Sequence, residues 1–410
     1  MCYRGVPWPA KVQRPARSTV LAGLRSNPLR TPLKHPVRWL AAIVVTALCA
    51  GEVALRQAGY GKRLITESSA RFGWVRLPNQ QFTSALGQLV RINSLGYRAR
   101  DWQAPGSAEQ EASLLRIAIV GNSVGSPVKV MPEESFPRLL EEGLQERLGQ
   151  RPVLVMNFSS PGYTIEQCAR VYQDHIRPFR PDVVVILVNA HSPRPMVEAE
   201  DPRRFPLRSS LQRTAYFDYY ERHWVRWETP GTVHPEAIRD AHHRARAYEA
   251  QRLGELIREK PFSPECAGLW EAMEERMATV ANDLEERHGV LILAHVPRIT
   301  RLAKQEPGKL CGTATRLGQW AGRVTGGKFL DLTPHMQRGC GELLAEVRDT
   351  GRDPRVIWRR VLNSGAGLEL LHSGQTPFFF DDPEHLTPLG HEVIAAGLLE
   401  YFGSWLRAMR

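Results

Sequence analysis

The chain has 410 residues, and 42% of them are hydrophobic, which allows one large domain or two ordinary ones with a sizeable core. Its formal net charge is +11, but residues 1–51 hold eight Lys or Arg and no Asp or Glu, which leaves +3 for residues 52–410. This distribution excludes a basic surface over the whole protein, and we expect no nucleic-acid partner.

The N-terminal part combines a basic tail with an apolar run. Residues 1–37 are rich in proline and basic residues and lack hydrophobic periodicity, which predicts a disordered cytoplasmic tail. The apolar run at 39–51 is thirteen residues long, or about seventeen with Glu52 tolerated near the interface, at the low end for a membrane span. We predict a transmembrane signal anchor at 38–57, with the chain beyond it exported to the periplasm or cell exterior. A buried helix, a cleaved signal peptide and a lipoprotein signal at Cys49 are the alternatives.

Beyond a connecting region at 58–112, short apolar runs alternate with amphipathic stretches, which predicts strands and helices in turn. The predicted strands are 115–120, 153–158, 182–188, 289–296 and 328–331. The predicted helices are 133–149, 165–179 and a last one from about 388 to 406, with Thr387 as its N-cap. This alternation indicates a domain at 113–410 with a parallel sheet of about five strands covered on both faces, a three-layer α/β/α architecture. Residues 195–260 interrupt it and predict a helical insertion.

The first predicted strand ends in Gly121-Asn122-Ser123. Gly121 permits a sharp exit that would place Ser123 at the carboxyl end of the strand, where open α/β sheets carry their chemistry. Ser126 has no strand directly before it and is a decoy. A serine hydroxyl needs an adjacent base, and His385 is our candidate, with Asp382 to hold its imidazole in the right tautomer.

These two stretches resemble the first and last sequence blocks of the SGNH (GDSL-type) serine hydrolases. That family has its nucleophile after the first strand as Gly-Asp-Ser, and its acid and base near the C-terminus as Asp-x-x-His, the spacing of Asp382 and His385. The stretch 92–98 also resembles the Asn-x-x-Gly-[Phe/Tyr]-Arg lead-in of membrane-anchored members. The resemblance covers roughly residues 90 to 405 and implies the flavodoxin-like fold of the family.

The resemblance also implies an oxyanion hole, formed by the N–H of Ser123, the N–H of Gly162 and a side chain after the third strand. The stretch 157–163 is similar to the family's Asn-x-[Gly/Ser]-x-Pro-Gly-[Tyr/Phe]. After its third strand the family has Asn-Asp. This chain departs from that pattern, so either Asn189 or His191 would supply the third donor of the oxyanion hole. Asn122 replaces the Asp of Gly-Asp-Ser, which is not the triad acid. His391 matches the family's Gly-His and is expected to pack or cap.

Six cysteines are present, and four of them, Cys168, Cys266, Cys311 and Cys340, lie in the part that we predict to be exported. Four cysteines in an oxidising compartment allow up to two disulfides, and we expect at least one, with Cys311–Cys340 as the first choice. Some of them could instead be small buried hydrophobes. No Cys-x-x-Cys pair exists, so we expect no structural zinc site. We also expect no other metal site and no cofactor.

The leading functional hypothesis is a membrane-anchored serine esterase, an O-deacylase acting on an acylated cell-envelope or extracellular glycan. The reaction type follows from the Ser-His-Asp set, and the substrate class follows from the resemblance and the predicted location. An O-acyltransferase on the same scaffold and a non-catalytic glycan-binding or assembly subunit remain open. The expected partners are the membrane and an acylated glycan or small ester, and the sequence leaves the oligomeric state open.

Overall fold

The computed structural model describes residues 36–58, 60–61, 66–83, 89–103, 114–127, 130–189, 192–196, 214–216, 219, 252–254, 256–257, 260–297, 312–338 and 385–408. The chain divides into two compact units, Met1–Val53 and Ala54–Arg410. Most of the predicted insertion at 195–260 and both cysteines of the predicted Cys311–Cys340 pair lie outside the described residues.

Helix α1, Pro36–Gln57, covers the segment predicted as an anchor, and none of its residues is buried. At 1.5 Å per residue its 22 residues extend about 33 Å, enough for a hydrocarbon core of about 30 Å. Among the described residues it is the one helix long and apolar enough to cross a membrane, a property that signal sequences share.

The region between this helix and the first predicted strand contains two antiparallel strand pairs. They are β1 (Thr66–Ser69) with β2 (Gly73–Arg76) and β3 (Gln81–Thr83) with β4 (Leu89–Arg91). Strands of three or four residues are too short for a hydrophobic alternation to stand out, which is why we predicted no element here. Phe72 and Tyr97 of this region are buried in the main core, so the segment packs as part of the domain.

Five parallel strands form the central sheet, in the order β6-β5-β7-β8-β9. They are β5 (Leu115–Val120), β6 (Val153–Asn157), β7 (Val183–Val188), β8 (Val290–His295) and β9 (Gly327–Asp331). All five predicted strands are confirmed to within one residue at either end. The first strand of the sheet in chain order, β5, lies between the second and the third, so the strand order reverses there. Doubly wound sheets open a crevice at this switch point, outside the carboxyl ends of β5 and β7.

Helices cover both faces of the sheet, which confirms the predicted three layers. The helices are α2 (Phe136–Leu148), α3 (Ile165–Val171), α4 (Pro264–Glu285), α5 (Gly312–Ala321) and α6 (Pro388–Ala408). Alternate residues of each strand enter different clusters, as the two-residue period of a strand requires. Ala118 and Val120 of β5 pack with side chains of α3, α4 and α5. Ile117 and Ile119 pack with side chains of α2 and α6.

The helix predicted at 165–179 is confirmed over its whole range, but the type of helix changes along it. The α-helical hydrogen bonding of α3 ends at Val171, and a π-turn at Tyr172–Ile176 and a 3-10 turn at Arg177–Phe179 follow. Pro178 cannot donate a backbone hydrogen bond and clashes with the preceding turn of an α-helix, so the chain departs from α geometry as it approaches this residue.

Candidate functional site

Ser123 lies in a tight turn directly beyond the carboxyl end of β5. Glycine is needed at 121 because a Cβ there would lie 2.9 Å from the Cβ of Leu187 on the neighbouring strand β7. After Ser123 the chain bends back, with the N–H groups of Gly125 and Ser126 donating to the Asn122 carbonyl at 3.1 and 3.0 Å. Ser123 itself is partly exposed, which leaves its side chain at the surface of the sheet edge.

The two serines of this turn differ in their surroundings. Ser126 is buried, and its hydroxyl accepts a hydrogen bond from Nη2 of Arg76 at 2.9 Å. The expectation that Ser126 is a decoy agrees with this position, because a buried and fixed hydroxyl cannot meet a substrate. Ser123 is the serine of the pair that solvent can reach.

Asn122 connects the turn after β5 with the residues after β7. Its Nδ2 donates to Oδ1 of Asn189 at 2.8 Å and to Oγ of Ser192 at 3.3 Å, and its Oδ1 accepts from the N–H of Val124 at 3.1 Å. The backbone N–H of Asn189 also donates to Ser192 Oγ, at 3.0 Å. Asn122, Asn189 and Ser192, which we call the amide centre, are all buried. The bonds run across the switch point of the sheet and fix Asn189 beside the backbone that presents Ser123.

Gly162 lies on the loop that leaves β6, the strand on the other side of β5. Its φ of +79° is a left-handed conformation that favours glycine. The loop is tied to the serine turn, because the N–H of Ser160 donates to the Gly121 carbonyl at 2.9 Å. Gly162 is partly exposed, and its carbonyl accepts from Nη2 of Arg194 at 3.0 Å.

His385 is partly exposed and lies three residues before α6. Its neighbour Leu386 belongs to the same hydrophobic cluster as Val124, the residue after Ser123. Thr387 is confirmed as the N-cap of α6, since its hydroxyl accepts from the N–H of Gly390 at 3.2 Å. Of the other predicted site residues, Asp382 and His191 lie outside the described residues.

His391, in the first turn of α6, caps the start of α2. Its Nδ1 accepts a hydrogen bond from the N–H of Phe136 at 3.3 Å, and the two rings stack 5.6 Å apart at 9°. Burial, together with the positive charge of Arg98, lowers the pKa of His391 to about 3, so the ring is neutral and can accept. This confirms the expected packing or capping role. It also joins the first turn of α6 to the segment that follows the serine turn.

A second polar pair at the same edge of the sheet was missed by the sequence analysis. Nδ1 of His295, the last residue of β8, lies 2.9 Å from Oδ1 of Asp331, the last residue of β9. The same oxygen accepts from the N–H and the hydroxyl of Thr333, at 3.1 and 2.7 Å. Burial opposes ionisation of Asp331, but the bonds from His295 and Thr333 outweigh it and its pKa lies below the usual value. A polar residue at the end of each of two apolar strands was the available signal. We call His295, Asp331 and Thr333 the carboxylate centre.

The remaining expectations concern cysteines and metals. Cys168 and Cys266 are buried and free, and burial raises the pKa of the Cys168 thiol to about 12. Both therefore act as small hydrophobes, and Cys311 and Cys340 are the two cysteines left for a disulfide in the part predicted to be exported. Within the described ranges, no group of three or more His, Cys, Asp or Glu residues could hold a metal ion.

Comparison with known proteins finds distant structural likenesses. No family model matches the chain, and no curated protein matches it. The solved structures similar to it include a mutant of Axe2, an acetylxylan esterase from Geobacillus stearothermophilus (12% identity, 73% of this chain, 95% of that chain, TM-score 0.35). A two-domain esterase, CEX, active on acetylated mannans, is similar at 11% identity over 72% of this chain and 51% of that one, with a TM-score of 0.36. LAE5, an alpha/beta hydrolase from the metagenome of Lake Arreo, is similar at 14% identity, with 73% and 97% covered and a TM-score of 0.35.

Proposed function

We propose that the protein is a serine esterase of the SGNH type that removes acyl groups from a glycan. Ser123 is the nucleophile, His385 the base and Asp382 the acid that orients it. The observation that carries the proposal is the 2.8 Å bond between Asn122 and Asn189 at the switch point of the sheet. This bond joins Asn122, which precedes the partly exposed Ser123, to Asn189, which begins the loop after β7. An acyl-transfer site likewise holds its nucleophile and an oxyanion donor close together.

In the proposed reaction, His385 takes the proton of the Ser123 hydroxyl while Oγ attacks the acyl carbonyl carbon. The negative charge on the carbonyl oxygen is stabilised by the N–H groups of Ser123 and Gly162 and by Asn189 or His191. The sugar hydroxyl leaves with the proton from His385, and water then releases the acyl group from the serine by the same steps in reverse. A sugar acceptor in place of water would make the reaction a transfer.

The location and the substrate class belong to the same proposal. An apolar helix of 22 residues with no buried side chain has a surface suited to lipid, and the eight basic residues before position 52 favour a cytoplasmic N-terminus. The domain would then face the periplasm or the cell exterior. Acylated cell-envelope or extracellular glycans are among the esters available there, and they are the substrates that we propose.

The test compares two serines of one turn. Full-length protein in detergent is treated with a fluorophosphonate probe and with an activated acetyl ester, alongside the variants Ser123→Ala and Ser126→Ala. We expect Ser123→Ala to lose both labelling and turnover, by about 10³-fold or more, because the nucleophile is removed. The folded state of each variant is checked by circular dichroism.

Ser126→Ala serves as the matched control, because it removes a hydroxyl three residues away without touching the nucleophile. It should keep labelling and lose only some stability, since Arg76 is left without its acceptor. Unchanged turnover in Ser123→Ala would place the nucleophile elsewhere. Analysis of the products with and without an added oligosaccharide separates hydrolysis from transfer.

A further inference from the structure

Two buried arginines lie against the connection between β5 and α2, the part of the chain that begins with the serine turn. Nη2 of Arg76, at the end of β2, donates to Oγ of Ser126 at 2.9 Å. Nη2 of Arg98 donates to the carbonyl of Val130 at 2.8 Å. The two residues are 3% and 7% exposed, so both guanidinium groups are held inside the domain.

The rest of each guanidinium group has no counterpart in the part of the protein that the structure describes. Nε and Nη1 of Arg76 and of Arg98 are buried and have no hydrogen-bond partner among the residues that the structure describes. A carboxylate does act on Arg98 electrostatically, but it belongs to Glu133, which is exposed to solvent. In the described part of the chain neither arginine forms an ion pair, and the charge of Arg98 acts unfavourably on Arg76.

This arrangement is costly unless something compensates it. Burial lowers the pKa of each arginine to about 10, which still leaves both fully charged at neutral pH. Buried charges in proteins are paired, and an unpaired one costs several kcal/mol. The hydroxyl of Ser159 is another buried polar group without a partner in the described residues, and it packs against Gly125 of the serine turn. Unsatisfied donors and positive charge therefore occur together beside the turn.

We propose that Arg76 and Arg98 form a binding site for one small anion, a halide or a compact carboxylate, beneath the serine turn. Guanidinium N–H groups are strong donors to such acceptors. The free donors Nε and Nη1 of one guanidinium group point to opposite sides, so each arginine offers one of them to a shared anion. The anion must be small because both side chains are buried. Its binding would hold the connection that carries Ser123, since each arginine already bonds to it through Nη2.

The experiment measures stability against anion concentration. Full-length protein in detergent is dialysed into sodium gluconate, whose anion is too bulky for a buried site. Bromide or formate is then added at constant ionic strength, and the thermal midpoint is followed by tryptophan fluorescence. We expect a saturable rise of about 3 °C, because a ligand that binds only the folded state stabilises it.

Variants assign the effect to the site. The double variant Arg76→Met, Arg98→Met should lose the saturable rise, whereas Arg71→Met should keep it. Arg71 is a matched control because it lies in the same hairpin but is paired at the surface with Asp174. Ser123→Ala should also respond to anions like the wild type, so the result does not depend on the proposed activity.

Two outcomes would overturn the site. One is the absence of any saturable rise in the wild type, and the other is a rise that persists in the double variant. If the double variant fails to fold, crystals of the wild type grown in bromide decide the matter by anomalous scattering. A bromide peak within about 3.5 Å of both guanidinium groups supports the site, and its absence rejects it.

Discussion

Two polar centres lie at the carboxyl edge of the same sheet, and they differ in charge and in setting. The amide centre of Asn122, Asn189 and Ser192 is neutral and joins the ends of β5 and β7. The carboxylate centre of His295, Asp331 and Thr333 joins the ends of β8 and β9. A partly exposed serine adjoins the first centre. In the second, the side chains of His295 and Asp331 are 5% and 9% exposed.

On the proposed function, what separates the two centres is their position in the sheet. The amide centre occupies the switch point, where neighbouring loops leave in opposite directions and a crevice opens. Strands β7, β8 and β9 follow one another in chain order, so the carboxylate centre lies away from the switch point.

Among variants of the two centres, the largest effect is expected from breaking the amide centre. Asn122→Leu removes the donors to Asn189 and Ser192 and the acceptor for the N–H of Val124, so the backbone on both sides of Ser123 loses its fixed position. We expect the rate of fluorophosphonate labelling at Ser123 to fall about 100-fold, because misplacing a reacting group by about 1 Å has effects of this size. The rate constant for labelling measures it.

Asn122→Asp is the matched control for this variant. A carboxylate still accepts from the N–H of Val124, and it accepts from Asn189 once that side-chain amide turns over. Labelling should therefore stay within about tenfold of the wild type, a loss of about 1.4 kcal/mol at most. Equal losses in the two variants would contradict the idea that hydrogen bonds of residue 122 position the nucleophile.

A smaller effect, on stability alone, is expected from the carboxylate centre. In Asp331→Asn the amide cannot accept from His295 and Thr333 as strongly, and we expect a loss of about 1–3 kcal/mol in the free energy of unfolding at pH 7. The folded pKa of Asp331 lies below its usual 3.8, so its contribution is present above that pH and is lost as the pH falls through the folded value. Denaturant midpoints at pH 7 and pH 2.5 should thus differ less in the variant.

Labelling at Ser123 checks whether the two centres are separate. It should change less than twofold in Asp331→Asn once the protein is folded, because the carboxylate centre lies between β8 and β9 and contributes no group to the proposed reaction. A large loss of labelling with little loss of stability would mean that the carboxylate centre takes part in catalysis. The functional distinction between the two centres would then be wrong.

Much of the fold can be predicted from the sequence, because its signals are local. Strand β7 is a continuous apolar run, as a strand buried on both faces must be, and the Thr387 cap lies directly before its helix. The two hairpins of 66–91 were missed, since their strands of three or four residues carry no visible alternation. Their place in the domain depends on contacts such as Trp74 with Tyr163, 89 residues further along the chain.

The residues of the site also fall into two groups, those predicted from a local sequence pattern and those that only long-range contacts bring together. Ser123 could be predicted from a glycine and a serine directly after an apolar run. The bond between Asn122 and Asn189 spans 67 residues, and the one between Phe136 and His391 spans 255. Neither follows from any local pattern, because the strand order of the sheet and the packing of α6 on α2 bring the partners together. The buried pair Arg76 and Arg98 is likewise visible only after folding.

The smallest expected effect concerns two buried histidines, one bonded to the carboxylate of Asp331 and one stacked on Phe136. His295 faces a carboxylate, whereas His391 accepts from the N–H of Phe136 and lies near the positive charge of Arg98. The folded pKa of His391, about 3, is below its usual 6.5, so between these values the unfolded chain binds the proton more readily. Stability contributed by His391 is complete above pH 6.5 and is lost as the pH falls towards 3.

His391→Gln tests this point, because a glutamine side chain can accept from the same N–H and does not titrate. Between pH 7.5 and pH 5.5 the wild type should lose about 1 kcal/mol more than the variant in the free energy of unfolding, since the slope approaches 1.36 kcal/mol per pH unit below 6.5. Urea unfolding at the two pH values measures the difference. Parallel losses in the two proteins would show that His391 is not the neutral cap of α2, and that another group titrates in this range. A wild type that gains stability on acidification, relative to the variant, would mean that the ring is protonated in the folded state and faces an acceptor instead of the Phe136 N–H.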